Sequence, residues 1–541
     1  MNNQPIIKEQ WLWRKCIPFL YDFLMITPLK WPTLTIDIPE ITFSIDESYN
    51  NNNNIESSNT SIIYPIIYGT YSAGANNEGK TESIHISSVE LPHPDVDLLQ
   101  DNNTKTNEIK YSNPDIIPIY EISVPKEAIR IQSKVNKFNG TFDNEYICIA
   151  TKLMNGSIYI YKCYIDLIKS KTMENKKNEN IITNKLSNKI NDNDNDNNNN
   201  HHHTSLIPDI IFSDHSYTGY GLQWGVTNSS WLLSGNEDSS IFIYDIANNN
   251  NSIISCNNNL NQYSINDVQW LNPILAPTLF LSANHNGYLT LYDTRISNLD
   301  NSETYISKYS QVCNKWKISD LPCMSLSVNP SISHLIAIGS YDKNIYTIDL
   351  RHISNNKNCS SINHQGILNT LTFHDDIVHR VEWHPDGNSL LLSASLDRKI
   401  CIWDITKQSN LPIWEQLDNN GINNKSSDKI SSTLRHIIGG IRTLPNKNEK
   451  QYGPSELLGI HSGHSGIVTD CHWLYSPNNT TWTVASTDIL NSLHIWSFNE
   501  SAFTSENDLI ELLYLQQECK ITNNNNELFN TLESFQELIN K

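Results

Sequence analysis

The sequence holds no apolar run of the roughly 18 residues that a membrane-crossing helix needs. Its start lacks the basic-then-apolar order of a secretory leader, because Lys8, Glu9, Arg14 and Lys15 break it up. A soluble intracellular chain with no membrane partner is the expectation. Paired cysteines are missing too: the ten cysteines are scattered and none forms a C-x-x-C pair. Cys148 in "YICIAT" and Cys401 in "KICIWDI" sit within apolar strand patterns, where a reduced thiol packs as a small hydrophobe. No metal site and no cofactor are expected from them. Positive charge is in short supply, with 38 Lys and Arg against 58 Asp and Glu, a net charge of −20. Phosphate backbones demand a basic track, so direct nucleic-acid binding is not expected, whereas basic protein partners suit such a surface. Catalytic signatures are absent as well: there is no G-x-S-x-G elbow, phosphate loop or H-E-x-x-H. No enzyme is expected.

What the chain has is repetition. "VHRVEWHPDGNSLLLSASLDRKICIWDI" (378–405) reads as three short strands broken by turns. The same order returns at 219–246, 265–295, 323–351 and 468–498. Degenerate copies stand at 135–164 and in the combination of 34–38, 62–72 and 83–91, making seven. Each copy alternates apolar and polar residues, and none can bury both faces alone. Seven arranged radially can, which gives an all-β, seven-bladed β-propeller with WD40-type spacing. A helix is expected before it and another after it. The expected divisions are an N-terminal helix at 1–32, the propeller at 33–499 and a C-terminal helical segment at 500–541.

Blade six carries His374, Ser393, Asp397 and Trp403, and blade seven carries His464, Ser486, Asp488 and Trp496 in the same order. Ser, His and Asp together suggest a hydrolase, but their recurrence at repeat spacing points to hydrogen-bond staples inside blades. Asn-rich inserts at about 50–60, 166–205 and 247–262 read as polar loops. His201, His202 and His203 lie in one of them and read as incidental to it. The insert at 406–460 contains apolar pieces that can dock, and its length suggests a functional loop.

The opening phrase "WRKCIPFLYDFLMITPLKWPTLTIDI" (13–38) is the most apolar part of the N-terminus. Residues 6–16 read as a helix, Pro18 suits the first turn of a second helical segment, and Pro28 and Pro32 end it. Trp13, Ile17, Leu20 and Leu24 then form one stripe, with Phe23 beside it.

"PFLYDFLM", "LKWPTLTIDIPE", "DHSYTGYGLQW" and above all "GPSELLGIHSGHSGIVTDCHW" (453–473) resemble the histone-binding WD40 family. This is the retinoblastoma-binding, chromatin-assembly-factor small-subunit type, and the resemblance covers nearly the whole chain outside the Asn-rich inserts. It implies a side groove, between the N-terminal helix and the loop before the last blade, that holds the first helix of histone H4. Carried over, the apolar wall is Leu20, Phe23, Leu24, Leu457, Leu458 and Ile460, and the carboxylates for histone arginines are Asp418, Asp428 and Glu456. The family's loop is strongly acidic with paired prolines. Here 406–460 holds five acids against seven bases, with Ser455 at the second proline's place and Gly459 where a bulky aromatic is expected. The family's second site, a channel mouth that takes histone H3-like tails, keeps its aromatic as Tyr220. Ser133, Thr218, Asn266 and Met324 stand where charged or amide residues are expected, so that site is not expected to be retained.

The resemblance implies a non-catalytic histone-binding chaperone or scaffold subunit of chromatin assembly, deacetylase, remodelling or Polycomb-type complexes. The implied partners are histone H4 with H3 and the other subunits of the complex, with one copy per complex, in the nucleus and secondarily the cytoplasm. Rival readings are a WD40 scaffold or ubiquitin-ligase substrate receptor without histone binding, and a ribosomal-protein chaperone of the glutamate-rich WD type.

Overall fold

Strand β1 (Tyr21–Pro28) stands first in the chain but completes the last blade, pairing antiparallel with the final strand along its whole length. A computed structural model of the chain describes residues 10, 13, 14, 17, 20–44, 61–72, 82–92, 116–136, 145–172, 207–225, 230–247, 250–255, 263–271, 278–297, 310–353, 366–387, 389–406, 456–474 and 482–498. Blade one contains β2 (Ile36–Asp37), β3 (Phe43–Ser44), β4 (Ser61–Gly69), β5 (Glu82–Pro92) and β6 (Ile117–Val124). Blade two contains β7 (Ala128–Asn136), β8 (Tyr146–Leu153), β9 (Ile158–Tyr164) and β10 (Ile210–Phe212). Blade three is β11 (Gly221–Trp224), β12 (Trp231–Gly235), β13 (Ile241–Asp245) and β14 (Asn250–Ser255). Blade four is β15 (Ile265–Trp270), β16 (Leu279–Asn284), β17 (Tyr288–Ser297) and β18 (Ser310–Lys317). Blade five follows with β19 (Cys323–Val328), β20 (Leu335–Ser340), β21 (Asn344–Asp349) and β22 (Ile367–Thr372). Blade six has β23 (Val378–Trp383), β24 (Leu390–Ser395), β25 (Ile400–Asp404) and β26 (Leu457–His461). Blade seven has β27 (Val468–Trp473), β28 (Thr483–Asp488) and β29 (Ser492–Phe498), with β1 outermost.

The chain is a seven-bladed propeller, and its apolar core is divided accordingly. Among the described residues there are seven buried clusters, each shared by two neighbouring blades. Alternation explains this: in a blade both faces are covered, so both sets of side chains of a central strand are apolar.

Several expectations need correction. The second helical segment expected from Pro18 to Pro28 is absent, because Tyr21–Pro28 is a strand. Gln10, Trp13, Arg14, Ile17 and Leu20 are helical, and the strand follows at once. Aromatic and β-branched residues there favour an extended chain, and β29 offers an unpaired edge that satisfies its backbone. The helical unit expected over 1–32 therefore ends by Leu20, and the propeller draws in residues before 33. The insert expected at 247–262 includes β14, the outer strand of blade three. The insert expected from 166 opens with helical residues 165–172, which bury Ile165, Ile168 and Thr172. The docking loop expected at 406–460 ends in β26, since Leu457–His461 pairs with β25. Residues 45–60, 173–206, 407–455 and 499–541, including the expected C-terminal helical segment, lie outside the described residues.

The structure brings the expected staple residues together. His374 Nδ1 meets Asp397 Oδ2 at 2.9 Å, its Nε2 meets Ser393 Oγ at 2.8 Å, and Trp403 Nε1 donates to the same oxygen at 2.8 Å. In blade seven His464 meets Asp488 at 3.3 Å and Ser486 at 2.8 Å, and Trp496 donates to Ser486 at 3.2 Å. Both serines are fully buried and held by an indole, so neither can reach a substrate. Burial opposes charge on His374, but Cys401 and Asp397 outweigh it and raise its pKa to about 10. Burial likewise opposes ionisation of Asp397, yet the His374 bond and charge hold it at about 2.

Two tests follow from this architecture. Met25 is buried between blades seven and one, whereas its neighbour Ile26 is 47% exposed. Met25→Ala is expected to cost about 2–5 kcal/mol in urea unfolding and Ile26→Ala less than about 0.5 kcal/mol. Equal effects would show that β1 does not close the ring. The second test uses pH. The raised pKa of His374 adds stability below its ordinary 6.5 that fades as pH climbs toward 10. The lowered pKa of Asp397 adds stability above its ordinary 3.8 that fades as pH falls toward 2. The stability gap between wild type and His374→Gln is therefore expected to peak between about pH 4 and 6.5 and to shrink toward pH 9.5. A gap that widens with pH would rule out the charged pair.

Candidate functional site

The N-terminal helical residues rest on the seam between blades six and seven. Trp13 is buried there, and its Nε1 donates to Tyr21 Oη at 3.0 Å. Tyr21 Oη lies 2.8 Å from His461 Nδ1, and His461 Nε2 lies 3.0 Å from His494 Nδ1. One chain of bonds thus joins the helix, β1, β26 and β29. Ring packing reinforces it: His461 lies flat on Trp496 at 4.5 Å and 4°, and Tyr21 stacks on Phe498 at 5.1 Å. Burial drives the pKa of both His461 and His494 well down, so they are neutral links. At the helix's start Gln10 Nε2 donates to Ser465 Oγ at 2.7 Å.

The expected groove wall divides in two. Leu20, Leu457, Leu458 and Ile460 are buried, so they do not form an open wall. Leu20 and Leu458 belong to the core between blades six and seven, and Leu457 and Ile460 to that between blades five and six. The reason is that β26 is a blade strand with both faces covered. Phe23 and Leu24 are half-buried, on β1 rather than on a helix, and Leu24 packs with half-buried Ile17 against the six–seven core. Glu456 stands at the entry to β26, and its carbonyl accepts from Asp404 N at 2.7 Å. Asp418 and Asp428 lie outside the described residues. A side chain at Gly459 would come within 2.7 Å of the Phe498 ring, which fills the space.

The first strands of the blades contact one another in a ring. Tyr220, at the start of β11, is 54% exposed. Around that ring Asn266 Nδ2 donates to Cys323 O at 2.8 Å, the Thr218 carbonyl accepts from Glu237 N at 2.9 Å, and Ser133 N donates to Asp37 at 2.7 Å. Met324 is half-buried, its sulfur 3.8 Å from Asn266 Nδ2. The charges on these strands pair among themselves: Arg380 meets Asp470 at 3.3 Å and Glu382 at 3.4 Å, and Glu382 meets His472 at 2.9 Å.

Sequence reasoning missed Tyr21, His461 and His494 as the fastening of the helix. The signal was present in part: residues 21–28 can be read with period two, and "GIHSGH" holds a second histidine that no blade staple uses.

Known proteins match the parts just described. Residues 8–93, which span the helix, β1 and most of blade one, match the family model for histone-binding protein RBBP4 and its counterpart in the CAF1 complex. Residues 365–404, in blades five and six, match the WD domain, G-beta repeat. Over 506 residues the chain is 23% identical to "Histone acetyltransferase type B subunit 2" of Debaryomyces hansenii, covering 92% of each chain. Over 500 residues it is 24% identical to the protein of that name in Candida glabrata, covering 92% of this chain and 90% of the relative. A propeller whose helix is fastened across its closing seam, matched there by the histone-binding model and end to end by these relatives, belongs to the histone-binding WD40-repeat family.

Proposed function

We propose that this protein is a non-catalytic histone-binding subunit of a chromatin complex, working in the nucleus. The observation that carries this reading is the match of residues 8–93 to the histone-binding model, over the same helix and strand that fasten across the closing seam. The named relatives are subunits of a histone acetyltransferase, and a subunit without catalytic residues would present the histone rather than modify it. The partner of this reading is histone H4, accompanied by H3. Its first helix would lie along the seam, against Ile17, Leu24 and Phe23, with Glu456 and loop carboxylates meeting its arginines. Leu20, Leu457, Leu458 and Ile460 would support that surface from within. Apolar anchors supply most of the energy in such grooves, and rim charges tune rate and salt dependence.

Calorimetric titration with a peptide spanning the first helix of histone H4 tests this. Micromolar binding is expected for the wild type, lost in Ile17→Asp and kept in Leu490→Asp, a site 61% exposed on blade seven. A folded wild type that takes no peptide would sink the histone H4 reading.

A further inference from the structure

The staples and the helix fastening do not account for a second feature of the same seam, the crowding of three imidazoles. His461, His464 and His494 are all buried, and one ligand nitrogen from each lies within 4.8 Å of the others. His461 Nε2 and His494 Nδ1 stand 3.0 Å apart, and the His464 ring stacks on that of His494 at 3.9 Å. Two nitrogens bound to a tetrahedral zinc at its usual bond length sit about 3.3 Å apart, so this pair needs to open only slightly. The surroundings also suit a metal. His461 Nδ1 faces the Tyr21 hydroxyl and His464 Nδ1 faces the Asp488 carboxylate, the oxygen partners that orient ligating histidines from behind. A cavity of about 130 Å³ reaches the cluster, lined among others by Trp13, Asp488, Ser492 and His494. It supplies a route in and room for a fourth ligand.

We propose that His461, His464 and His494 form a binding site for one zinc-class divalent cation, completed by water or by Asp488 from the cavity. An all-imidazole set with so few oxygens selects zinc, nickel or copper over magnesium or calcium. Neutral imidazoles bind by a lone pair, so ligation needs a tautomer change but no net proton loss. His464 Nε2 is bonded to Ser486, and if that atom ligates, the ion replaces that bond. Once bound, the cation clamps β26 of blade six to β29 of blade seven, beside the strand that closes the ring.

The test uses the full chain after treatment with a chelator, with Co2+ as a visible-spectrum probe and Zn2+ as competitor. One tetrahedral Co2+ per chain is expected, displaced by Zn2+, together with a Tm that rises with free Zn2+. His494→Gln lies outside both blade staples and is expected to weaken binding by at least about 100-fold. His379→Gln, on blade six outside the cluster, is expected to bind as wild type. A folded wild type that takes no ion at about 100 μM, far above any structural zinc affinity, overturns the proposal and leaves a hydrogen-bonded relay. Undiminished binding in His494→Gln also overturns it and points to the His201–His203 run.

Discussion

The innermost strand of every blade has one edge with no strand beside it, and closing the ring depends on how that edge is satisfied. A buried N–H without an acceptor costs about as much as a lost hydrogen bond, and seven such edges face one another. Side chains of one blade serve the next. Thr35 and Asp37 accept from Ile131 N and Ser133 N, and Gln223 accepts from Trp270 N. Asp267 and Gln269 accept from Leu326 N and Val328 N, and Ser325 and Ser327 from Val381 N and Trp383 N. Between blades two and three the task falls to Lys152, fully buried, which donates to Ser234 and to the carbonyls of Gly221 and Gly235. Short polar residues therefore recur at alternate positions on strands that otherwise read as core.

Where the ring joins its own beginning, one carboxylate carries most of the load. Asp470 accepts from Ile36 N and Thr35 Oγ1 of blade one, and pairs with Arg380 of blade six and, at 3.7 Å, with Arg130 of blade two. Burial resists its ionisation, but Arg380, His472 and Arg130 hold it well below the usual carboxylate range. Breaking such a buried set by removing one member costs about 3–5 kcal/mol, since the remaining charges stay buried and unpaired. The axis is thus joined by charge and the rim by β1. Two unlike interactions close the same seam.

The repeats were legible because a blade writes its own pattern: apolar alternation, a turn, and an aromatic-Asp ending. The staples were legible for the same reason, since their residues recur at fixed places within blades six and seven. The closing strand was not. Tyr21–Pro28 has helical stripe and strand alternation superposed, and only the unpaired edge of β29, far away in sequence, decides between them. Gly459 misled in a related way: its missing side chain is replaced by the ring of Phe498, a residue no local pattern connects to it. The wall residues were correctly read as apolar and adjacent, but adjacency within a phrase does not say which side faces out. Leu457, Leu458 and Ile460 became core because β26 is covered on both faces.

Binding and folding are coupled through this seam. The helix cannot be moved without disturbing Tyr21, and Tyr21 cannot be moved without disturbing both β1 and His461. A partner lying across the helix and blade six would therefore recognise the closed ring alone. By mass action its binding would stabilise closure, by about 2.7 kcal/mol at a hundredfold excess over Kd. Buried residues of the seam, such as Leu20 and Leu458, contribute to that closed state whether or not a partner is present. Half-buried ones, Ile17 and Leu24, are those whose remaining surface a partner can still remove from water. Exposure, rather than position in the phrase, separates residues that hold the seam from those that can be read by a partner.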